Sequence, residues 1–330
     1  MARLGEWKGF VLLGLLVAAL PLVTRSAYFL NMGVFIGLYA LVATGLGLLL
    51  GYTGQVSLGH AAFYGLGAYS SAILTLHYGI NPWLAVVAAA IITGLVAWLI
   101  GKPTLKLHGH YLAMATLGFG IICNILFGEG GAFTGGPSGL PGIPRLAIGS
   151  FEFNTDLRMY FLVWPLVALQ LVLMRNLLKS RLGRALRAIH DSELAASSCA
   201  IDPGKTKLMV FTLSAVWASL AGSLYAHTLS FVNPNPFGFV FSVTLVVMVV
   251  VGGSRSLWGP LLGVTAYSLL HEALTSGAME QLLGVAGIPE DRLQSLVVVL
   301  FGLLLILMLQ FRPKGLASFT RPKREMPNAG

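Results

Sequence analysis

Long apolar runs, separated by short polar, basic or glycine-rich breaks, follow one another along the chain. A helix needs about 17 to 25 apolar residues to cross roughly 30 Å of hydrocarbon. Stretches near residues 9–24, 28–50, 57–77, 83–101, 111–127, 157–174, 208–229, 237–252, 259–274 and 293–311 approach or meet that length. The pattern predicts an all-α, polytopic membrane helix bundle of about ten transmembrane helices, forming one domain over residues 1–330. The first and ninth runs are short, and only Gly51 to Val56 separate the second from the third.

Charge tests that count, because Lys and Arg collect on the cytoplasmic loops. With both termini cytoplasmic, the inner side receives Arg3, Lys8, Lys102, Lys106, Arg255, the cluster from Arg175 to Lys207, and Arg312, Lys314, Arg321, Lys323 and Arg324. The outer side keeps only Arg25, Arg145, Arg158 and Arg292. An error of one span in the middle would split Lys102 and Lys106 from the cluster, so an even number of spans is expected. Arg3 and Lys8 before a short apolar core also resemble a signal peptide. No clean small-x-small cleavage site follows before Tyr28, so a retained first helix is expected.

Composition excludes a soluble globule. Hydrophobic residues make up 56% of the chain and charged ones 10%, with a mean hydropathy of +0.81, whereas soluble domains carry about 25% charged residues. The net charge of +9 sits beside the apolar runs and reads as topology, with no nucleic-acid partner expected. Cys123 and Cys199 have neither pairing nor metal-ligand spacing, and no disulfide is expected. The glycines at Gly33/Gly37, Gly47/Gly51 and Gly259/Gly263 follow small-xxx-small spacing, which first of all means close helix packing.

Two connections exceed ordinary turns and fall on opposite sides. The outer one, residues 128–156, contains Thr134-Gly-Gly-Pro-Ser-Gly-Leu-Pro-Gly-Ile-Pro144. Its glycines, prolines and the apolar Phe133, Leu140, Ile143, Leu146 and Phe151 favour a compact extracytoplasmic cap or docking surface over a flexible linker. The inner one, residues 175–207, places Leu182, Leu186, Ile189, Glu193 and Ala196 at intervals of three and four, which predicts a helix over 182–201 with an apolar stripe and a basic face. Its plainer reading is a solvated connector that fixes topology. Gly204-Lys205-Thr206 ends like a phosphate-binding loop, but Cys199 stands where the first glycine belongs and a membrane helix follows at once. No ATP site is expected on this chain.

Five segments together resemble a known family. They are Gly51-Tyr-Thr-Gly-Gln-Val-Ser-Leu-Gly-His-Ala-Ala-Phe-Tyr-Gly-Leu-Gly-Ala-Tyr69, Gly109-His-Tyr-Leu-Ala-Met-Ala-Thr-Leu-Gly-Phe-Gly120, Thr134-Gly-Gly-Pro-Ser-Gly139, Gly183-Arg-Ala-Leu-Arg-Ala-Ile189 with Glu193-Leu-Ala-Ala196, and Gly252-Gly-Ser-Arg-Ser-Leu-Trp-Gly-Pro260. Their order and spacing resemble the M-type (LivM-like) permease subunits of ABC importers for branched-chain amino acids, over residues of about 40 to 275. The resemblance implies that the 182–201 helix is the coupling helix that docks on an ATPase, with Gly183, Arg184, Arg187, Glu193, Ala195 and Ala196 as its contact residues. It implies a second homologous permease, two cytoplasmic ATPase subunits, a periplasmic or surface solute-binding protein, and a bacterial inner (plasma) membrane location. No catalytic residue, cofactor or metal ligand is expected. His110 and Ile121 stand where the family pattern carries acidic residues, and Ala200 where it carries Gly, which leaves the cargo among amino acids, urea and amides open.

Gln55, Ser57 and His60 form a polar cluster beside an apolar span, and Thr116 and Asn124 lie in the fifth span. These five are the candidates for the translocation path or gate, with an interfacial position as the alternative for the cluster. A competing class is an ion-coupled secondary transporter of a small polar solute, for which Glu272 is the main intramembrane acid. A membrane enzyme is disfavoured, since the seven histidines are scattered and form no H-E-x-x-H pattern. An echo between Ser57-Leu58 with Gly65 and Ser256-Leu257 with Gly263 hints at a short internal repeat.

Overall fold

The computed structural model describes residues 2–23, 26–107 and 109–275, together with isolated positions beyond. The protein is an all-α polytopic membrane protein. Its helices are α1 (Ala2–Val23), α2 (Ala27–Thr53), α3 (His60–Leu76), α4 (Pro82–Thr104), α5 (His110–Glu129), α6 (Asp156–Lys179), α7 (Arg181–Asp191), α8 (Glu193–Ser198), α9 (Pro203–Leu229), α10 (Phe239–Gly252) and α11 (Gly259–Thr275). Nine of the ten predicted runs coincide with α1–α6 and α9–α11. The tenth, 293–311, lies outside the described residues except for isolated helical positions such as Val299 and Ile306. Among the described helices α2, α4, α5, α6 and α9 are long and apolar enough to cross a membrane.

Local chemistry sets the helix starts. Asn81 accepts a hydrogen bond from the Trp83 amide at 3.0 Å with Pro82 at the first position, and Asp202 caps α9 through the Lys205 amide at 3.0 Å with Pro203 behind it. Both combine an oxygen acceptor for an orphan amide with a residue that has no amide to orphan.

The centre of the bundle is α2, which is apolar on every face and is enclosed by α6, α9, α10 and α11, as such a helix must be. Among the described helices, α3 and α9 share the most extensive contact. Gly222 of α9 lies on the backbone of Tyr64 so closely that a Cβ there would come within 1.8 Å of the carbonyl oxygen. Ser223 donates to the carbonyl of Gly67 at 3.0 Å. On the outside, α4 presents Leu84, Val87, Ile91, Leu95 and Leu99 in one row, all more than half exposed. An apolar row at this spacing suits contact with lipid or with a further membrane helix.

The connections sort into two ends, as the charge alternation requires. At one end β1 (Leu140–Pro141) pairs antiparallel with β4 (Phe231–Val232), and β2 (Ala147–Ile148) forms a hairpin with β3 (Phe151–Glu152). Trp83 Nε1 donates to the Ala147 carbonyl at 2.8 Å, and His227 Nδ1 to the Pro144 carbonyl at 2.6 Å. Three connections that the charge pattern assigns to the outside, near residues 77–82, 130–155 and 230–238, therefore meet. At the opposite end, residues 54–59, 180–202 and 253–258 meet in the same way.

One element differs from its expectation. The helix predicted as continuous over 182–201 is two helices, α7 and α8, broken at Ser192, which has φ −160° and ψ 118°. The Ser192 hydroxyl accepts the Ala195 amide at 3.3 Å, so the serine caps a second helix instead of continuing the first. Ala200, just beyond α8, has φ 59°, a left-handed backbone that Gly adopts without a Cβ penalty.

Candidate coupling surface and solute route

The pair α7–α8 is built on a tight turn. Ser180 accepts the Leu182 amide at 3.1 Å and caps α7. Gly183 fits only because it lacks a side chain, since a Cβ would stand 2.1 Å from the Leu178 carbonyl oxygen. Gly183, Leu186, Ile189 and Ala196 are buried against the bundle, while Arg181, Arg184, Arg187 and Ala195 are exposed and Leu194 is 81% exposed. Arg187 also donates to the Leu178 carbonyl at 3.1 Å, which fixes its stem along the turn. The exposed face thus carries three guanidinium groups and one large apolar side chain.

Three side-chain links tie this pair to the helix ends above it. His190 lies over Gly54, where a Cβ would come 3.4 Å from its Nδ1, and its Nε2 accepts from the Arg255 guanidinium. Tyr52 in turn donates to the Arg255 carbonyl at 3.0 Å. Glu193 pairs with Lys207 in the first turns of α9. Lys207 is buried and Glu193 is 40% exposed, so the carboxylate supplies the counter-charge that the buried ammonium needs. A displacement of α7–α8 would therefore be felt at the ends of α2, α9 and α10.

Four of the five route candidates come together immediately above. The Leu58 amide donates to Thr116 Oγ1 at 3.0 Å, so residues 54–59 are pinned to α5. Ser214 donates to the Phe211 carbonyl at 2.8 Å and stands 3.0 Å from His60 Nε2, and Ser57 Oγ stands 3.0 Å from His60 Nδ1. With the Ser214 proton committed, His60 Nε2–H is the donor to Ser214, and Nδ1 accepts from Ser57. Gln55, Ser57, His60 and Thr116 are all buried, and Gln55 Nε2 is buried without a protein partner. Asn124 is set apart, two turns further along α5, donating to the Pro234 carbonyl at 3.0 Å.

Sequence reasoning did not reach the matching pair at the other end, where Ser71 of α3 stands 2.7 Å from His227 Nε2 of α9. Because His227 Nδ1–H is given to Pro144, Nε2 accepts from the Ser71 hydroxyl. Thus α3 and α9 are clamped twice, with the histidine on α3 at one end and on α9 at the other. The partners are 154 and 156 residues apart, beyond any local pattern. Nor did it reach Lys207 and Arg255 as partners of α8 and α7, since a basic residue in a loop reads first as topology.

Fold and site together define a many-spanning membrane protein with a basic, two-helix platform joined to its helix ends. The family described as the permease component of branched-chain amino acid transport systems matches residues 28–309. The LivM permease protein of the high-affinity branched-chain amino acid transport system of Escherichia coli K12 is 31% identical over 88% of this chain and 70% of its own length. The LivH permease protein of Salmonella typhimurium is 27% identical over 72% of this chain and 82% of its own. A probable LivM permease protein of Methanocaldococcus jannaschii is 24% identical over 85% and 90%. No solved structure matches the chain. The chain belongs to the branched-chain amino acid transport permease family.

Proposed function

We propose that this chain is the membrane-spanning permease subunit of an ATP-driven importer for branched-chain or related hydrophobic amino acids in the inner membrane of a bacterium. A second, homologous permease completes the pathway, two cytoplasmic ATPases supply the energy, and an extracytoplasmic binding protein delivers the solute. The family and the names of the relatives support the solute class. The observation that carries the ATP-driven part is the α7–α8 platform. It buries Leu186, Ile189 and Ala196, turns Arg181, Arg184 and Arg187 outward, and is joined to Gly54, Arg255 and Lys207.

Such a platform passes a push from a docked subunit into the bundle without chemistry of its own. Guanidinium groups on its face suit acidic side chains of an ATPase groove. The buried cluster of Gln55, Ser57, His60 and Thr116 begins one residue beyond Gly54, over which His190 lies, and we assign it to the gate. Specificity would then be set largely by the binding protein and by the route's weak, multiple contacts.

The test is uptake of radiolabelled leucine by proteoliposomes holding the complete importer with its binding protein. Uptake that requires internal ATP and survives a collapsed proton gradient supports the reading. Uptake that persists without ATP and stops with the gradient would establish the ion-coupled class instead. Competition by urea and amides, with no competition by leucine, would move the cargo to another branch of the family.

A further inference from the structure

At the end of the bundle opposite α7–α8, a cavity of about 350 Å³ lies between α2, α10 and α11, within the usual range for small-molecule pockets. None of its lining residues belongs to the platform or to the buried gate cluster. Its walls are aromatic: Tyr28, Phe35 and Tyr39 from α2, Phe241 from α10 and Tyr267 from α11. Phe35 and Tyr39 stand 6.1 Å apart between ring centroids, and Tyr39 and Phe241 5.1 Å. Among the described residues of this wall the carboxylate is Glu272, which accepts the Tyr28 hydroxyl, and His271 stands next to it.

We propose that this cavity is a binding site for the ammonium end of a small solute with an apolar tail. Ring faces carry negative potential and attract an ammonium group. Glu272 adds a full negative charge, and a carboxylate has room for about four hydrogen bonds, of which Tyr28 takes one. A second carboxylate reinforces the bias at the rim, where Asn31 donates to Asp156 at 3.1 Å. Among the described lining residues none is Lys or Arg and the basic one is His271, which stands beside Glu272, so the wall favours the ammonium end of a solute over its carboxylate. Met32 and the phenylalanine rings supply apolar contact for a tail. A carboxylate placed in the wall of a membrane bundle is costly unless it has a partner, and an ammonium group is the partner that this wall selects.

That the bound solute is also the transported one rests on the function proposed above; the binding chemistry does not. Direct binding is measured on the purified importer in nanodiscs, without binding protein, using three probes that share one tail: L-leucine, isopentylamine and 4-methylpentanoate. Leucine and the amine are expected to bind in competition with each other, and the acid to leave both undisturbed. Glu272→Gln should weaken amine binding by about tenfold or more, as loss of a charge-assisted contact does. An unchanged thermal unfolding midpoint in Glu272→Gln separates loss of the site from loss of the fold. Competition by the acid as strong as by the amine, wild-type affinity in Glu272→Gln, or no binding of amine or leucine to the wild type would each overturn the proposal. ATP-driven leucine uptake in the same preparation judges the importer reading separately, since uptake intact with the cavity indifferent to these changes removes only the cavity site.

Discussion

The two long connections of this protein solve opposite problems with different materials. The 130–155 connection is made of glycine turns and two-residue strands, and its ties run through its own backbone, with the Pro144 and Ala147 carbonyls accepting from His227 and Trp83 and Leu140 paired with Val232. The 180–202 connection is made of two helices, and its ties run through side chains, His190 to Arg255 and Glu193 to Lys207. Backbone ties at many points hold a surface in one shape. A rigid helix pair held at a few side chains keeps its own shape and moves as a unit. The first suits a fixed docking cap and the second a lever.

The largest way to break that contrast is to spoil the turn in each connection. Gly183→Val drives a side chain into the Leu178 carbonyl, and Gly139→Ala places a Cβ 2.1 Å from the Val232 carbonyl at a φ of 75°. Each should cost about 3 kcal/mol, the upper end for overpacking against backbone. The outcomes should differ: Gly183→Val abolishes ATPase association and uptake together, whereas Gly139→Ala leaves association intact, as co-purification would show.

Next in size is the Glu193–Lys207 pair. Glu193→Gln leaves the Lys207 ammonium buried without a counter-charge, at a cost of about 2 kcal/mol, less than for a fully buried pair because water reaches the carboxylate. Thermal unfolding in detergent should show a lower midpoint, and adding Lys207→Met should recover most of it. A midpoint that falls further in the double variant would contradict the pairing.

Smaller still, and of opposite sign, is Ala200→Gly. It relieves a left-handed backbone at the end of α8 and should stabilise by about 1 kcal/mol. A lowered midpoint would show that the Ala200 methyl group contributes more than the strain costs.

The smallest effect concerns pH. The Asp202 carboxyl is held below its ordinary value by the Lys205 amide first and then by the Lys205 side chain. Its contribution to the start of α9 is therefore complete above the usual carboxylate pKa of about 3.9 and is lost as pH falls through the lowered value. Corrected for the intrinsic pH dependence of exchange, amides in the first turn of α9 should exchange faster only below about pH 4, and in Asp202→Asn the corrected rate should not change with pH there. Acceleration that persists in the asparagine variant would assign the fraying to another group.

Most of the helix framework was legible in the apolar runs because a membrane span needs length and hydrophobicity and little else. The charge alternation gave the sidedness that groups Pro144, Ala147 and Val232 at one end. The break at Ser192 was less legible, although its signal is present: Ser followed at once by Glu is a helix start. The continuing periodicity through Glu193 and Ala196 outweighed it. His60 and Ser57 stood out as polar groups beside an apolar span. What they bond to did not, because Ser214 is distant in sequence and its choice is made by how α3 and α9 pack. The cavity at Glu272 was hidden for the same reason, since its walls come from three helices.

The central claim is that α7–α8 is the surface through which ATPase subunits act on this permease. Co-purification of the ATPases with the Arg184→Glu, Arg187→Glu double variant tests it most directly. Both side chains are exposed, and the one bond lost inside the protein is that of Arg187 to the Leu178 carbonyl, so the bundle should still fold and insert. Loss of the ATPases, and with them of ATP-driven uptake, is the predicted result. Undiminished association and transport would contradict the assignment.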